Sequence, residues 1–220
     1  MLKFYHNPVS ANSRRVWIAL LEKGIPFEEV FLNLDSDQYQ PEFLEINPFH
    51  HVPVLVDDGF RVVESIAILD YLEAKYPQPS LMPSEPKAIA IVRMVQMVTL
   101  NELWHPTIRL TGEAMGFVKS DPQKLEKAHQ QIVTVLQFFE QLLKDSPYFG
   151  SDRLTLADIT TGTMVPGLPS MGVFLDDYPH LRAWCDRLME RESWQATQPS
   201  TEMIETFLPQ AKALIMAHLT

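Results

Sequence analysis

Residues 76–86, YPQPSLMPSEP, carry four prolines in eleven positions. Proline lacks the backbone N–H and fixes φ, so neither a helix interior nor a central strand can run through this stretch. The segment divides the 220-residue chain into two parts with different hydrophobic periodicities. Before it, short strand-like runs (LKFYH, FEEVFL, VPVLV, FRVV) alternate with helical spacing at Val16, Leu20 and Leu21, around Pro41 to Ile46, and at Ile66, Leu69 and Leu72. After it nearly everything reads helical. The expected organisation is an α/β domain over 1–77, a Pro-rich linker over 78–86 and an all-helical domain over 87–220.

Asp58-Gly59 between two β-rich runs is a favoured two-residue hairpin turn. The order of the first domain is then βαβ followed by ββα. A right-handed crossover plus an antiparallel hairpin and a covering helix gives a small mixed sheet, the thioredoxin-like arrangement. In the second domain Ile132, Val135, Leu136, Phe139, Leu142 and Leu143 form one apolar stripe of an α-helical bundle. Asp121-Pro122 reads as an N-cap with proline at the first helical position, and Thr155 to Asp158 (TLAD) as a capping box with Asp in the Glu place. The single cysteine, Cys185, lies in the series Leu181, Trp184, Cys185, Leu188, one helical face, and is expected in the core.

With 46% hydrophobic residues the chain can bury a sizeable core. A formal charge of −10 without a clustered basic face argues against nucleic acid as a partner. No run of about 18 uncharged apolar residues and no basic stretch with an apolar h-region is present, so the expectation is a cytoplasmic protein with no membrane span.

Three stretches of the first domain carry chemistry. HNPVSANSRRV, residues 6–16, places Ser10 and Ser13 at the strand-to-helix turn where a thiol-disulfide enzyme would carry cysteines. A helix N-terminus offers unpaired N–H groups and partial positive charge to an anion such as a thiolate, and Ser10 would add a hydroxyl donor. Read alone, Ser10, Asn12 and Ser13 are equally helix caps. In NPFHHVPVL, residues 47–55, a proline opening a strand leaves the backbone of Val52 outside the ladder, free to pair with an extended ligand. In VVESIAILDYL, Glu64 and Ser65 precede an apolar helix, with Ser65 as the expected N-cap.

The order and spacing of SANSRRVWIALLEKG, NPFHHVPVLVDDG, ESIAILDYL and LTLADI resemble the successive motifs of the cytosolic glutathione S-transferases, over essentially the whole chain. The resemblance is to the serine-type classes (phi, theta, zeta), and SANSRRV is similar to the small bacterial chi class. It implies a thioredoxin-like domain that binds glutathione as co-substrate, a helical domain that supplies much of the electrophile pocket, no metal or other cofactor, and a homodimer. Carried over by position, Ser10 and Asn12 would be catalytic. His51, Val52, Pro53, Glu64, Ser65 and Gln38 would hold glutathione, while Val9, Ser13, His105 and Arg109 would border the pocket for small hydrophobic electrophiles. Tyr5 is a rival activator, and Arg14 and Arg15 are expected on the helix surface or in salt bridges. Residues 38–40, Gln-Tyr-Gln, stand where relatives such as the phi class place basic residues for the glycyl carboxylate. The implied activity is conjugation of glutathione to electrophiles. Glutathione-dependent peroxide or disulfide reduction, or a non-catalytic scaffold, are the alternatives. Ile89, Val92, Met94, Val95, Met97 and Val98 surround much of one helix, more apolar surface than one core stripe needs, and with the resemblance this points to a two-fold interface.

Overall fold

The computed structural model describes residues 1–34 and 36–219. Two compact units emerge, Met1–Ser80 with Arg191–Gln210, and Leu81–Glu190 with Ala211 onward.

The first unit is built on a four-stranded sheet of order β2-β1-β3-β4. Strand β1 (Leu2–His6) pairs in parallel with β2 (Phe27–Phe31) and antiparallel with β3 (Val54–Asp57), which pairs antiparallel with β4 (Phe60–Val63). The Asp58-Gly59 turn has φ of 48° and 89°, the left-handed geometry expected of a tight hairpin. Between β1 and β2 runs α1 (Ala11–Glu22), and α3 (Ser65–Lys75) packs beside it. Phe4, Val16, Ile18, Leu20, Leu55, Ile68, Leu69 and Leu72 are fully buried. Because strand side chains alternate in direction, Phe4 and His6 point together, stacked at 4.5 Å with the His6 ring against Trp17 of α1. Tyr5 points the other way, toward α2 (Pro41–Ile46), where it joins Leu32, Phe43, Val52 and Val54. This is the expected thioredoxin-like layout.

The Pro-rich segment is fastened by Lys23, whose side chain is fully buried. Its ammonium donates to the carbonyls of Tyr76 and Pro79, both at 2.8 Å, and pairs with Glu73 at 2.6 Å. An ammonium has three N–H donors, and here each has an acceptor.

The expectation of one helical domain over 87–220 is corrected at its C-terminal part. Residues 191–210, comprising α9 (Glu192–Ala196) and the first half of α10 (Thr201–Leu219), group with the sheet unit. The physical reason lies on α1. Glu22 receives two bonds from Arg191 (2.8 and 2.6 Å) and one from Ser193. Arg14 donates to the Trp194 carbonyl at 3.2 Å and to Thr197 Oγ1 at 3.3 Å. Arg14 is therefore not a surface group.

The second unit is helical: α4 (Pro86–Val98), α5 (Trp104–Ala114), α6 (Pro122–Leu142), α7 (Leu156–Gly162) and α8 (Pro179–Met189), with the second half of α10. Residues Thr99–Leu103, between α4 and α5, form a widened π turn. Pro106 accounts for it: its nitrogen has no hydrogen for the Glu102 carbonyl, and its ring crowds that oxygen. Asp121 caps α6 and Pro122 opens it, as expected. Ile132, Val135, Leu136 and Phe139 are buried, whereas Leu142 is half-buried at the edge of the stripe. Gly112 of α5 permits the approach of α10, since a Cβ there would lie 2.8 Å from Ile215. Leu181, Trp184, Cys185 and Leu188 are buried on one face of α8, and burial pushes the Cys185 thiol up to about 12. The capping box of α7 forms, with Asp158 fully buried. Among the described residues no helix is long and apolar enough to cross a membrane.

Candidate active site

The strand registers bring the three chemical stretches to one end of the sheet. Tyr5 lies opposite Val54, and Val54 opposite Val63. The turn after β1, the Val52-Pro53 dipeptide before β3 and the Glu64-Ser65 pair after β4 therefore leave the sheet at the same edge. His6 lies opposite Phe31, so the segment leading from β2 to Gln38 leaves there too.

Ser10 is the N-cap of α1, and its Oγ accepts from the Ser13 N–H at 3.3 Å. Among the described residues nothing accepts the proton of that hydroxyl. Ser10 thus caps the helix through a lone pair and keeps its O–H donor for a ligand, so the two readings of this residue are compatible. Asn7 shapes the turn: its carbonyl accepts from Ser10 N at 3.1 Å, its Oδ1 from Val9 N at 3.1 Å, and its Nδ2 donates to the Leu32 carbonyl at 2.8 Å. Ser13 is fully buried, with its hydroxyl facing the Asn7 N–H at 3.4 Å, and so stands behind the turn. The expectation that it borders an open pocket is corrected on that ground.

Val52 lies outside the ladder, which begins at Val54, and the Val52-Pro53 peptide is cis. Asn47 holds the approach to it, donating to the His51 carbonyl at 2.8 Å and accepting from Phe49 N at 3.0 Å. His51 itself is exposed. Gln38 is buried in the turn Asp37–Tyr39, and the Tyr39 ring lies 5.3 Å from that of His50.

At α3 the expected cap is shifted by one residue. Glu64 is the N-cap and Ser65 the first helical residue, because Glu64 adopts φ 68°, ψ 120°, outside the helical region. A non-glycine residue in such a conformation costs about 1–3 kcal/mol and concentrates at ligand sites. Glu64 is exposed and its carboxylate caps nothing, while Ser65 is buried at the helix N-terminus.

With this geometry in place, residues 4–80 match the Glutathione S-transferase, N-terminal domain family, and residues 109–192 the Glutathione S-transferase, C-terminal domain family. The chain is 30% identical over 207 residues to Glutathione S-transferase F10 of Arabidopsis thaliana, covering 89% of this chain and 95% of that one. It is 32% identical over 195 residues to the maleylacetoacetate isomerase of Mus musculus, covering 86% and 88%. The chain belongs to the glutathione S-transferase family. Among solved structures, an epsilon-class glutathione S-transferase of the housefly, Musca domestica, superposes with a TM-score of 0.79 at 26% identity over 99% of this chain and 98% of that one. Glutathione S-transferase-I bound with lactoylglutathione superposes with a TM-score of 0.77 at 30% identity, covering 90% and 98%.

The transferase sequence also led to an expected electrophile pocket of Val9, Ser13, His105 and Arg109, which the structure redistributes. Val9 lines a cavity of about 220 Å³ in the first unit, with Phe31, Leu34, Met203 and Phe207 as its apolar walls. Arg109 lines a different cavity in the second unit, with Val118, Lys119 and Met216. His105 is exposed on α5. The walls contributed by α10 were not foreseen, since nothing in its apolar periodicity says that its first half joins the sheet unit. Also missed were Asn7 and Asn47, although an Asn-Pro pair at each position is a turn signal.

Proposed function

We propose that this chain is a glutathione transferase that joins the sulfur of glutathione to small, largely apolar electrophiles. One observation carries the reading: a Ser10 hydroxyl with an unused proton at the N-terminus of α1, on the same sheet edge as the cis Val52-Pro53 backbone and the Glu64-Ser65 helix start. The thiol reaches the site with glutathione, and the protein supplies donors. The Ser10 O–H and the α1 N-terminus stabilise the thiolate. Val52 pairs through its backbone with the cysteinyl residue. Glu64 takes the γ-glutamyl ammonium, and Ser65 with the α3 N-terminus takes its carboxylate. Gln38 and the imidazoles of His50 and His51 offer N–H donors to the glycyl carboxylate, in the absence of a Lys or Arg at 38–40. The Val9-lined cavity receives the electrophile. The thiolate forms a carbon–sulfur bond, the leaving group departs with the electron pair of the broken bond, and the rate gain comes from proximity and thiolate stabilisation.

Retention on immobilised glutathione, followed by parallel assays with an activated aryl halide and an organic peroxide, tests the reading. Turnover of the halide is expected. Activity confined to the peroxide would place reduction ahead of conjugation, and no retention would favour a scaffold.

Glu64→Gly is expected to separate stability from affinity. Glycine adopts positive φ without strain, so the variant should melt a few degrees higher. Loss of the carboxylate should weaken glutathione by about 10-fold or more. Titration calorimetry showing wild-type affinity would remove Glu64 from the γ-glutamyl site.

The homodimer is part of the same proposal. Val92 and Val95 of α4 are buried, whereas Met94 and Met97 stay 44% and 50% exposed, the apolar surplus that a two-fold contact would cover. Light scattering should give about 50 kDa, twice the chain mass of 25.2 kDa, and Met94→Arg should move the value toward the monomer. A wild-type mass near 25 kDa at micromolar concentration would refute the dimer.

A further inference from the structure

Of the two places expected for Arg15, the surface of α1 or a salt bridge, the first is excluded: the side chain is fully buried. Burial pushes its guanidinium down to about 10, which leaves it a cation at neutral pH. It sits one turn beyond Asn12, and because helical side chains lean toward the N-terminus, it reaches back over that turn. Its Nη1 donates to Asn12 Oδ1 at 2.5 Å.

That contact has a directional consequence. A guanidinium has N–H donors on every side and no acceptor, so it can hold the Asn12 carboxamide only by the oxygen. The amide nitrogen is turned away from Arg15. Asn12 is the second residue of α1, two after the Ser10 cap, and is only partly buried. Among the described residues nothing accepts from its Nδ2. A free carboxamide can present either edge to a neighbour, and its oxygen edge would repel a thiolate. Arg15 removes that choice.

We propose that Arg15 is a positioning residue that locks the Asn12 carboxamide with Nδ2 outward, making it a second hydrogen-bond donor to the glutathione thiolate beside the Ser10 hydroxyl. The proposal rests on the reading of the first turn of α1 as the thiolate site. The Arg14 neighbour makes no such contact, since its bonds go to Trp194 and Thr197.

Three substitutions separate orientation from packing and charge. In Arg15→Lys the partner remains donor-only, so the carboxamide keeps its orientation. In Arg15→Gln the partner can accept as well as donate, and the carboxamide is free to flip. In Asn12→Asp the bond to Arg15 is retained, now as an ion pair, but no donor is left. The readout is the thiolate absorbance of the binary complex with glutathione as a function of pH, with calorimetric affinity and thermal unfolding measured alongside.

Below the thiol pKa, Arg15→Lys should keep the wild-type thiolate fraction within about twofold. Arg15→Gln should lower it about threefold to tenfold, and Asn12→Asp about tenfold or more, a tenfold change matching one pH unit. Glutathione affinity should stay within about threefold throughout, because the first turn stabilises the charge rather than the peptide frame. Ser10→Ala is run in parallel. If it lowers the thiolate fraction while Asn12→Asp or Arg15→Gln does not, or if Arg15→Lys and Arg15→Gln lose it equally, the positioning role is overturned and the thiolate site stands. If Ser10→Ala leaves the fraction unchanged as well, the thiolate site itself is overturned. Should the Arg15 variants not fold, Asn12→Asp decides alone, a wild-type thiolate fraction overturning the role.

Discussion

Asp158→Ala is expected to lower the unfolding free energy by about 3–5 kcal/mol, a large part of what a domain of this size has. The carboxylate is fully buried in the helical unit and four donors converge on it: Phe149 N at 3.0 Å, Trp184 Nε1 at 2.8 Å, and the N–H and hydroxyl of Thr155, both at 2.7 Å. The same group closes the capping box of α7 and anchors Trp184, whose ring meets Phe149 edge to face, as Phe149 meets Phe139, with centroids 5.3 Å apart at each step. Alanine would strand the Phe149, Thr155 and Trp184 N–H groups in the interior, while the Thr155 hydroxyl could turn to the Phe149 carbonyl at 3.2 Å. Denaturant unfolding followed by tryptophan fluorescence measures the loss, and a difference below about 1 kcal/mol would mean that the donors find other partners. The pH dependence has a definite sign. Burial outweighs the donors and pushes the Asp158 carboxyl up to about 6, so the folded state holds its proton more tightly than the unfolded chain does. The associated stability is fully present below about pH 4 and is lost as pH rises through about 6. Asp158→Asn, which does not titrate, should therefore compare worst with wild type in acid and less badly above pH 6. The reverse trend would show that the carboxylate form is the favoured one.

Ser10→Ala is expected to cost about 10²-fold in kcat, the usual scale for one donor to a developing or resident anion. Among the described residues the hydroxyl makes one bond, the lone-pair contact to Ser13 N, so its loss weakens the α1 cap by about 1 kcal/mol and leaves the sheet intact. The catalytic deficit should be largest below neutral pH, where the thiol is most protonated, and shrink in alkali as the thiolate forms without help. Ser10→Thr keeps the oxygen and should recover much of the rate. Tyr5→Phe is the contrasting variant. The Tyr5 ring packs against Phe43 at 6.2 Å within the cluster under α2, and loss of its phenol is expected to leave most of the rate. A large loss in Tyr5→Phe with an unchanged pH profile in Ser10→Ala would transfer thiol activation to Tyr5.

The elements that could be read from the residues are those whose signals are local. The Asp58-Gly59 hairpin, the Asp121 cap and the TLAD box each depend on a few neighbours, and each forms as expected. The stretches holding Ser10, Val52-Pro53 and Glu64-Ser65 were legible as separate motifs and through the family resemblance, whereas their meeting at one end of the sheet comes from the strand registers. What stayed hidden depends on partners distant along the chain. Arg15 reads as one more charged helical residue until the folded chain buries it, and its bond to Asn12 is visible only in the structure. Glu64, between β4 and α3, takes a positive φ that side-chain cap preferences do not signal, and so they placed the cap one residue late. Likewise the bonds from Glu22 to Arg191 and Ser193 span about 170 residues, and no window of sequence carries them.

That long-range closure constrains how the molecule is made. Proteins built of separate units commonly fold in the order of synthesis, the N-terminal one first. Here the sheet unit is unfinished when Met1–Ser80 have left the ribosome, because it still lacks Arg191–Gln210. Until those residues emerge, Glu22 has no arginine and Arg14 has neither the Trp194 carbonyl nor the Thr197 hydroxyl. The intervening 110 residues, Leu81–Glu190, must be translated first. The nascent sheet unit therefore waits, with the flank of α1 that takes α9 uncovered, for a strap that is translated 110 residues after Ser80.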